Sequence, residues 1–289
     1  MSRTFHGAAG NRLVASEMGA GRPVLLLHGG GQTRHAWSRT GRALAERGWH
    51  AVLLDQRGHG DSAWIPDGAY SFRDFAADAG AVAREIADEQ GAKPVVIGAS
   101  LGGIASLLAL GERGEPVFAG LILVDVVPRM DPRGVSHVQG FMRAHAVEGF
   151  TSVEEAAEAV AAYLPHRPRP RSLDGLKKNL RLHPDGRWRW HWDPRFLDGP
   201  RSVDTDRPEV ERRMVEAART LEVPTLLVRG GSSELVTDAA AAEFLALAPQ
   251  ADHVNVADAR HMVAGDRNDV FAEAILTFLE TRLATESAA

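Results

Sequence analysis

The sequence predicts an α/β fold: a mostly parallel central sheet flanked by helices and interrupted by one mainly helical insertion. Three observations carry this. Short, unbroken apolar runs recur along the chain, helical patterns separate them, and the alternation lapses once. A strand buried on both faces reads as a continuous apolar run. Such strands alternating with helices build a parallel sheet covered on both sides. In sheets of this kind ligands lie beyond the carboxyl ends of the strands, so the chemistry is expected just after each run.

The elements follow in order. "NRLVASEMG" alternates weakly and is expected to form an early edge strand. "PVLLLHGGG" is the first buried run, and "HAVLLDQRGHG" the second. Between them "HAWSRTGRALAERG" has a helical pattern ended by Gly48. "SFRDFAADAGAVAREIADEQG" opens with Ser71 as N-cap and stops at Gly91. The third run, "KPVVIGAS", leads into the helical "LGGIASLLALGERG". "AGLILVDVVP", "VPTLLVRGG" and the weaker "ADHVNVADA" complete the sheet. "TDAAAAEFLALAP" and "RNDVFAEAILTFLETRLA" supply the closing helices.

From Pro128 to Leu221 no apolar strand run occurs. Helical stretches ("SVEEAAEAVAAYLP", "RPEVERRMVEAARTLEV") and the proline-rich "PHRPRPR" fill the gap. The expected organisation is therefore a core of residues 1–127 and 222–289 with an insertion at 128–221. The insertion holds "GRWRWHWDPRF", where Trp188, Trp190 and Trp192 alternate with Arg187, Arg189 and His191. An extended segment would put the three rings on one face, packing the insertion onto the core or walling a pocket.

Composition narrows the function. The chain has 289 residues, 33 basic and 38 acidic, for a net charge of −5. That balance argues against a nucleic-acid partner. Pro165–Arg195 is locally basic, with nine basic and three acidic residues, but no nucleic-acid-binding fold accompanies it. With no cysteine, disulfides, thiolate metal sites and cysteine nucleophiles are excluded. No apolar leader segment and no run of the ~18–20 apolar residues needed for a membrane span are found. A cytoplasmic protein without membrane association is expected, and oligomeric state is not legible.

"GASLG", Gly98 to Gly102, matches the G-x-S-x-G pattern at a strand-to-helix junction, where a nucleophile elbow belongs. It presents Ser100 on a tight turn and sets the N–H of Leu101 at a helix N-terminus, suited to an oxyanion. The phosphate-binding glycine patterns are absent. A serine needs a base, and His261 lies in the loop before the last helix, after Ser100 as the order Ser…Asp/Glu…His requires. The acid must follow a core strand between them. Glu234 and Asp125 both qualify, and either would orient the imidazole. Gly29 to Gly31 let the backbone approach a ligand. The N–H of Gly30 is expected to complete the oxyanion hole, with Gly31 or Gln32 as alternatives, and His28 to bond loop backbone.

Together, "HGGG", "DQRGHGDS", "GASLGG" and "RH" before the last helix resemble the α/β-hydrolase superfamily. The matches span the core in order and leave only the insertion unmatched. The resemblance implies a serine hydrolase acting on a small-molecule carboxylic ester, lactone or thioester, with no metal or organic cofactor. It implies that the insertion caps the site and that the acid is Glu234, since in the family the acid sits a few residues after "RG" on the penultimate strand. Aspartate is commoner there, which keeps Asp125 open. Two alternatives go with the resemblance: the same triad used for perhydrolysis or carbon–carbon cleavage, and a non-catalytic ligand-binding member of the fold.

Overall fold

The structure, a computed structural model, describes residues 2–112, 114–167, 172–266 and 268–283. Residues 168–171 of the proline-rich stretch therefore lie outside the described residues. The strands are β1 (Ser2–His6), β2 (Arg12–Met18), β3 (Arg22–Leu27), β4 (Trp49–Leu54), β5 (Val95–Ala99), β6 (Gly120–Val124), β7 (Leu180–Leu182), β8 (Trp188–Trp190), β9 (Thr225–Gly230) and β10 (Asp252–Val256). The helices are α1 (Ser38–Glu46), α2 (Phe72–Gln90), α3 (Leu101–Leu110), α4 (Pro132–Ala144), α5 (Val153–Tyr163), α6 (Asp174–Lys177), α7 (Arg195–Asp198), α8 (Arg207–Arg219), α9 (Asp238–Leu247), α10 (Val263–Asp266) and α11 (Asn268–Arg282).

Eight strands form one sheet in the order β1-β2-β4-β3-β5-β6-β9-β10. All neighbours from β4 to β10 are parallel, whereas β1–β2 and β2–β4 are antiparallel. The unbroken apolar runs are explained by burial on both faces. In β3, Val24 and Leu26 join one apolar cluster while Leu25 and Leu27 join the other. Ile122 and Leu123 of β6 divide in the same way. Helices α2, α3, α8 and α9 cover one face, and α1 and α11 the other. The edge position expected for residues 12–18 belongs instead to β1, with β2 inside it.

Local signals hold where a side chain could satisfy the helix ends. Ser71 and Asp74 make a reciprocal capping box at the start of α2, and Gly91 ends it at φ 68°. At α9 the cap is Thr237, whose side chain accepts from the Ala240 N–H. Asp238 is the first helical residue and pairs with Arg229.

Between β6 and β9 the chain forms α4 to α7 and the antiparallel β7–β8 pair. Phe150, Leu180, Trp190, Trp192 and Phe196 make a third apolar cluster there. Helix α8 is different: Val210, Met214, Ala217 and Ala218 join Leu107 and Ala109 in the main core. The separate cluster thus ends before α8, short of residue 221. No helix among the described residues is long and apolar enough to cross a membrane.

The topology selects one place for a site. From β3 the chain moves to β4 on one side, then returns across to β5 on the other. The loops leaving β3 and β5 therefore diverge, opening a crevice at the switch point.

Candidate active site

Ser100 stands between β5 and α3 with φ 46° and ψ −111°. Such a conformation costs a non-glycine residue about 1–3 kcal/mol and persists only where its surroundings enforce it. Three glycines do so. A Cβ on Gly98 would lie 2.5 Å from the Gly102 oxygen, one on Gly102 2.3 Å from the Leu27 oxygen, and one on Gly103 2.4 Å from Val126. The spacing "GASLGG" is thus a packing requirement as well as a pattern. Leu101 opens α3, so its N–H has no acceptor one turn back in the helix.

His261 follows β10, and its Nδ1 bonds Asp125 Oδ2 at 2.8 Å. The expectation that Glu234 fills this position is corrected. Asp125 sits at the end of β6, fully buried, with φ 50°. Its Oδ1 accepts from the Gly230 N–H at 2.9 Å, and its Oδ2 accepts from the Ser233 hydroxyl at 2.6 Å. Gly230 at the end of β9 and Ser233 in the loop after it thus both donate to Asp125. Glu234 faces the insertion: its backbone oxygen would be 2.3 Å from a Cβ on Gly134, and its Oε2 is buried without a hydrogen-bond partner. Burial first, then the charge of Glu234, push the Tyr163 phenol up to about 12. Asp125 had its own sequence signal, a lone carboxylate between apolar residues in "LILVDVV". A charge in that setting must be buried and supplied with donors. Ser233 carried no such signal.

The glycine loop after β3 narrows to one free N–H. The Gly29 N–H donates to the Gln32 side chain, that of Gly31 to His59 Nε2, and that of Gln32 to the Gly29 oxygen. Among the described residues no acceptor is found for the Gly30 N–H. A Cβ on Gly29 would lie 3.6 Å from Ser100 Cβ, so the loop borders the elbow. His28 bonds backbone as expected: Nδ1–H to the Gly29 oxygen at 2.8 Å, while Nε2 accepts from the Gln56 N–H.

Two histidines that the sequence does not single out brace this loop. His59 accepts the Gly31 N–H at Nε2 and donates from Nδ1 to the Arg57 oxygen. His191, from the tryptophan strip, accepts the Gly60 N–H at 2.6 Å and donates from Nε2 to the Gly31 oxygen at 3.3 Å. The ring of His59 lies 5.2 Å from that of His28 and 5.8 Å from that of His191. Burial holds all three below the usual histidine value, His28 to about 4 and His59 to about 3, helped by the charge of Arg34 at His28, of His28 at His59, and of His59 and His28 at His191. Buried ion pairs anchor the same region: Arg57 to both Asp78 oxygens at 2.7 and 2.6 Å, and Arg34 to Asp55. Breaking such a pair typically costs about 3–5 kcal/mol.

The three histidines make stability pH-dependent. Their folded pKa values lie below the unfolded value of about 6.5, so the unfolded chain binds more protons on the acid side. The stability is complete above about pH 6.5 and drains as pH falls toward the folded values, at up to about 1.4 kcal/mol per pH unit for each ring. Tm should therefore drop between pH 7 and pH 5, and His191→Asn should flatten that slope. Equal slopes in thermal melts of the two proteins would contradict this account.

The strip itself divides. Trp190 and Trp192 are buried and line the cavity above Ser100, whereas Trp188 is half-buried and lies outside that lining. Only Trp188–Trp190 is extended, paired with β7. Its arginines hold it down: Arg187 bonds the Glu148 oxygen, Arg189 the Val147 oxygen and Asp185, and Arg195 pairs with Asp193. Asp193 also accepts from the Tyr70 hydroxyl at 2.7 Å. The strip thus acts as a clasp between insertion and core.

Ser100, Leu101, Gly30 and His261 border one cavity of about 1140 Å³, walled further by Phe141, Met142 and Phe196. No hydrogen bond joins Ser100 Oγ to His261 among the described residues, and such bonds commonly tighten only with substrate. Among the described residues no cluster of three or more potential ligands could hold a metal ion.

Known proteins share this architecture. The family model for the alpha/beta hydrolase fold matches residues 22–267. The esterase Rv0045c of Mycobacterium tuberculosis is 31% identical over 269 residues, covering 91% of this chain and 85% of the esterase. A solved structure of that esterase superimposes with a TM-score of 0.75 at 27% identity, covering 97% of this chain and 92% of its own. A 2-(acetamidomethylene)succinate hydrolase from Mesorhizobium japonicum is 26% identical over 268 residues, 93% of this chain and 91% of the enzyme. The chain belongs to the α/β-hydrolase fold family.

Proposed function

We propose that the protein is a serine hydrolase that cleaves carboxylic esters through Ser100, His261 and Asp125. The observation that carries this reading is the bond from His261 to a fully buried Asp125, at the cavity that Ser100 borders from a positive-φ turn. Asp125 orients the imidazole with Nδ1 protonated, leaving Nε2 to take the Ser100 proton. Ser100 Oγ attacks the ester carbonyl, and the N–H groups of Gly30 and Leu101 bind the developing oxyanion. His261 returns the proton to the leaving alcohol. Water then attacks the acyl-enzyme by the same route, releasing acid and restoring Ser100. The relative named an esterase supports the choice of ester.

Residues 128 to about 206, up to the start of α8, act as a cap in this reading. Trp190, Trp192 and Phe196 come from this segment and roof the cavity. A cavity of about 1140 Å³ exceeds the ~300–1,000 Å³ usual for small-molecule sites, so acyl groups of considerable length are accommodated. A p-nitrophenyl ester series of rising acyl length tests the reading, together with mass spectrometry after a phosphonate probe. Turnover and a single adduct on Ser100 are expected. An unlabelled Ser100 with no ester cleaved would sink the proposal.

A further inference from the structure

The cavity opening carries an imbalance of charge that the ester chemistry leaves unused. Most arginines among the described residues have carboxylate partners, and the net charge is −5. At the cavity itself Arg167 pairs with Asp266, Arg207 with Asp204, and the acidic Glu211 shares Arg129 with Glu243. Arg39, Arg42 and Lys178 line the same cavity, are exposed, and their side chains have no ion pair or hydrogen bond among the described residues. Arg39 and Arg42 stand three residues apart on α1, so they share one helix face and repel each other. Lys178 follows α6 in the insertion. It reaches the same side: its charge, after burial and Arg34, helps to hold His35 below its usual value, and His35 lies in the turn just before α1. Asn179, next to Lys178, accepts a hydrogen bond from Thr33. Core and insertion thus each contribute unpaired cations to one opening, and the wall below it is apolar.

We infer that this opening binds an anionic group, a carboxylate or a phosphate, carried by the ester or thioester substrate away from its scissile bond. The inference rests on the serine-hydrolase reading. An apolar stretch of substrate would occupy the space between Trp190, Trp192 and Phe141 while its charged end meets Arg39, Arg42 and Lys178. Because the three cations are exposed, each contact is modest and screened by salt. Together they would also steer anionic substrates into the cavity.

The test uses two matched substrate pairs. The first is a p-nitrophenyl ester with a terminal carboxylate on its acyl chain, against its methyl-capped counterpart. The second is an acyl-phosphopantetheine thioester against the acyl-pantetheine. At low salt the anionic member of at least one pair should show kcat/KM about tenfold higher, equivalent to ~1.4 kcal/mol, residing mainly in KM. The gap should shrink in 0.5 M KCl and close in R39A/R42A/K178A. A gap in the first pair alone identifies a carboxylate, and one in the second a phosphate. Equal rates within both pairs, or a gap that survives in the triple variant, overturn the inference. Phosphonate labelling of Ser100 in that variant checks that the site is still built. If wild-type protein cleaves neither neutral member and Ser100 takes no label, the hydrolase reading itself has failed, and this inference falls with it.

Discussion

Ser100→Ala is expected to lower kcat for any cleaved ester by about 10⁶, the scale on which serine hydrolases lose activity without their nucleophile. The fold should survive. Alanine removes one oxygen from a half-buried side chain whose Oγ has no hydrogen-bond partner among the described residues. The backbone bonds of the elbow, Ser100 N–H to the Val124 oxygen and Ile104 N–H to the Ser100 oxygen, are kept. The positive φ of residue 100 is enforced by the close approach of Gly98, Gly102 and Gly103 and is tolerated no worse by alanine than by serine. Tm should therefore change little while the phosphonate adduct disappears. Residual turnover within tenfold of wild type would move the nucleophile elsewhere.

The second large effect separates the two carboxylates. Asp125→Asn should reduce kcat by about 10⁴, because an amide favours the wrong tautomer of the imidazole. Its oxygen can still accept from the Gly230 N–H, so the loop after β9 keeps its anchor and melting should shift modestly. Glu234→Gln removes a charge whose Oε2 is buried without a partner. Glu234 is only half-buried and its Oε2 has no hydrogen bond to lose, so kcat should stay within a few-fold of wild type. Steady-state kinetics on one ester compare both variants. The reverse ranking would return the acid to Glu234.

The fold was legible because its signals are local. Each parallel strand is covered on both faces, so its residues must be apolar whichever helix lies above. Ser71 and Gly91 mark the ends of α2 because capping depends on residues within one turn. Ser100 was legible for the same reason, since the glycines that admit its turn lie within three positions. Strand β1 was not, because "SRTFH" is an edge strand with little apolar content. Neither was the core placement of α8, whose polar face hides a stripe defined by Val210, Met214 and Ala217.

The hydrogen-bond partner of His261 shows where local reading stops. Asp125 and Glu234 both follow core strands, and chain position alone could not rank them. The choice fell to the order of strands in the sheet. β6 and β9 are neighbours, so Gly230 at the end of β9 donates its N–H and Ser233 in the following loop its hydroxyl to Asp125, while that loop carries Glu234 toward the insertion. The same holds for the tryptophan strip. Alternation made an aromatic face legible, but only the closing of the insertion over the core brought His191 onto Gly31 and Gly60 and set Trp190 and Trp192, without Trp188, into the cavity wall. By itself the sequence determined the parallel strands, the strand-to-helix turn at Ser100 and the loop position of His261, because each is specified by residues near it in the chain. The partner of that histidine and, among the described residues, the free N–H of Gly30 and the unpaired cations at the opening were decided by tertiary structure. They depend on which groups from distant segments meet, and on which are left without a partner.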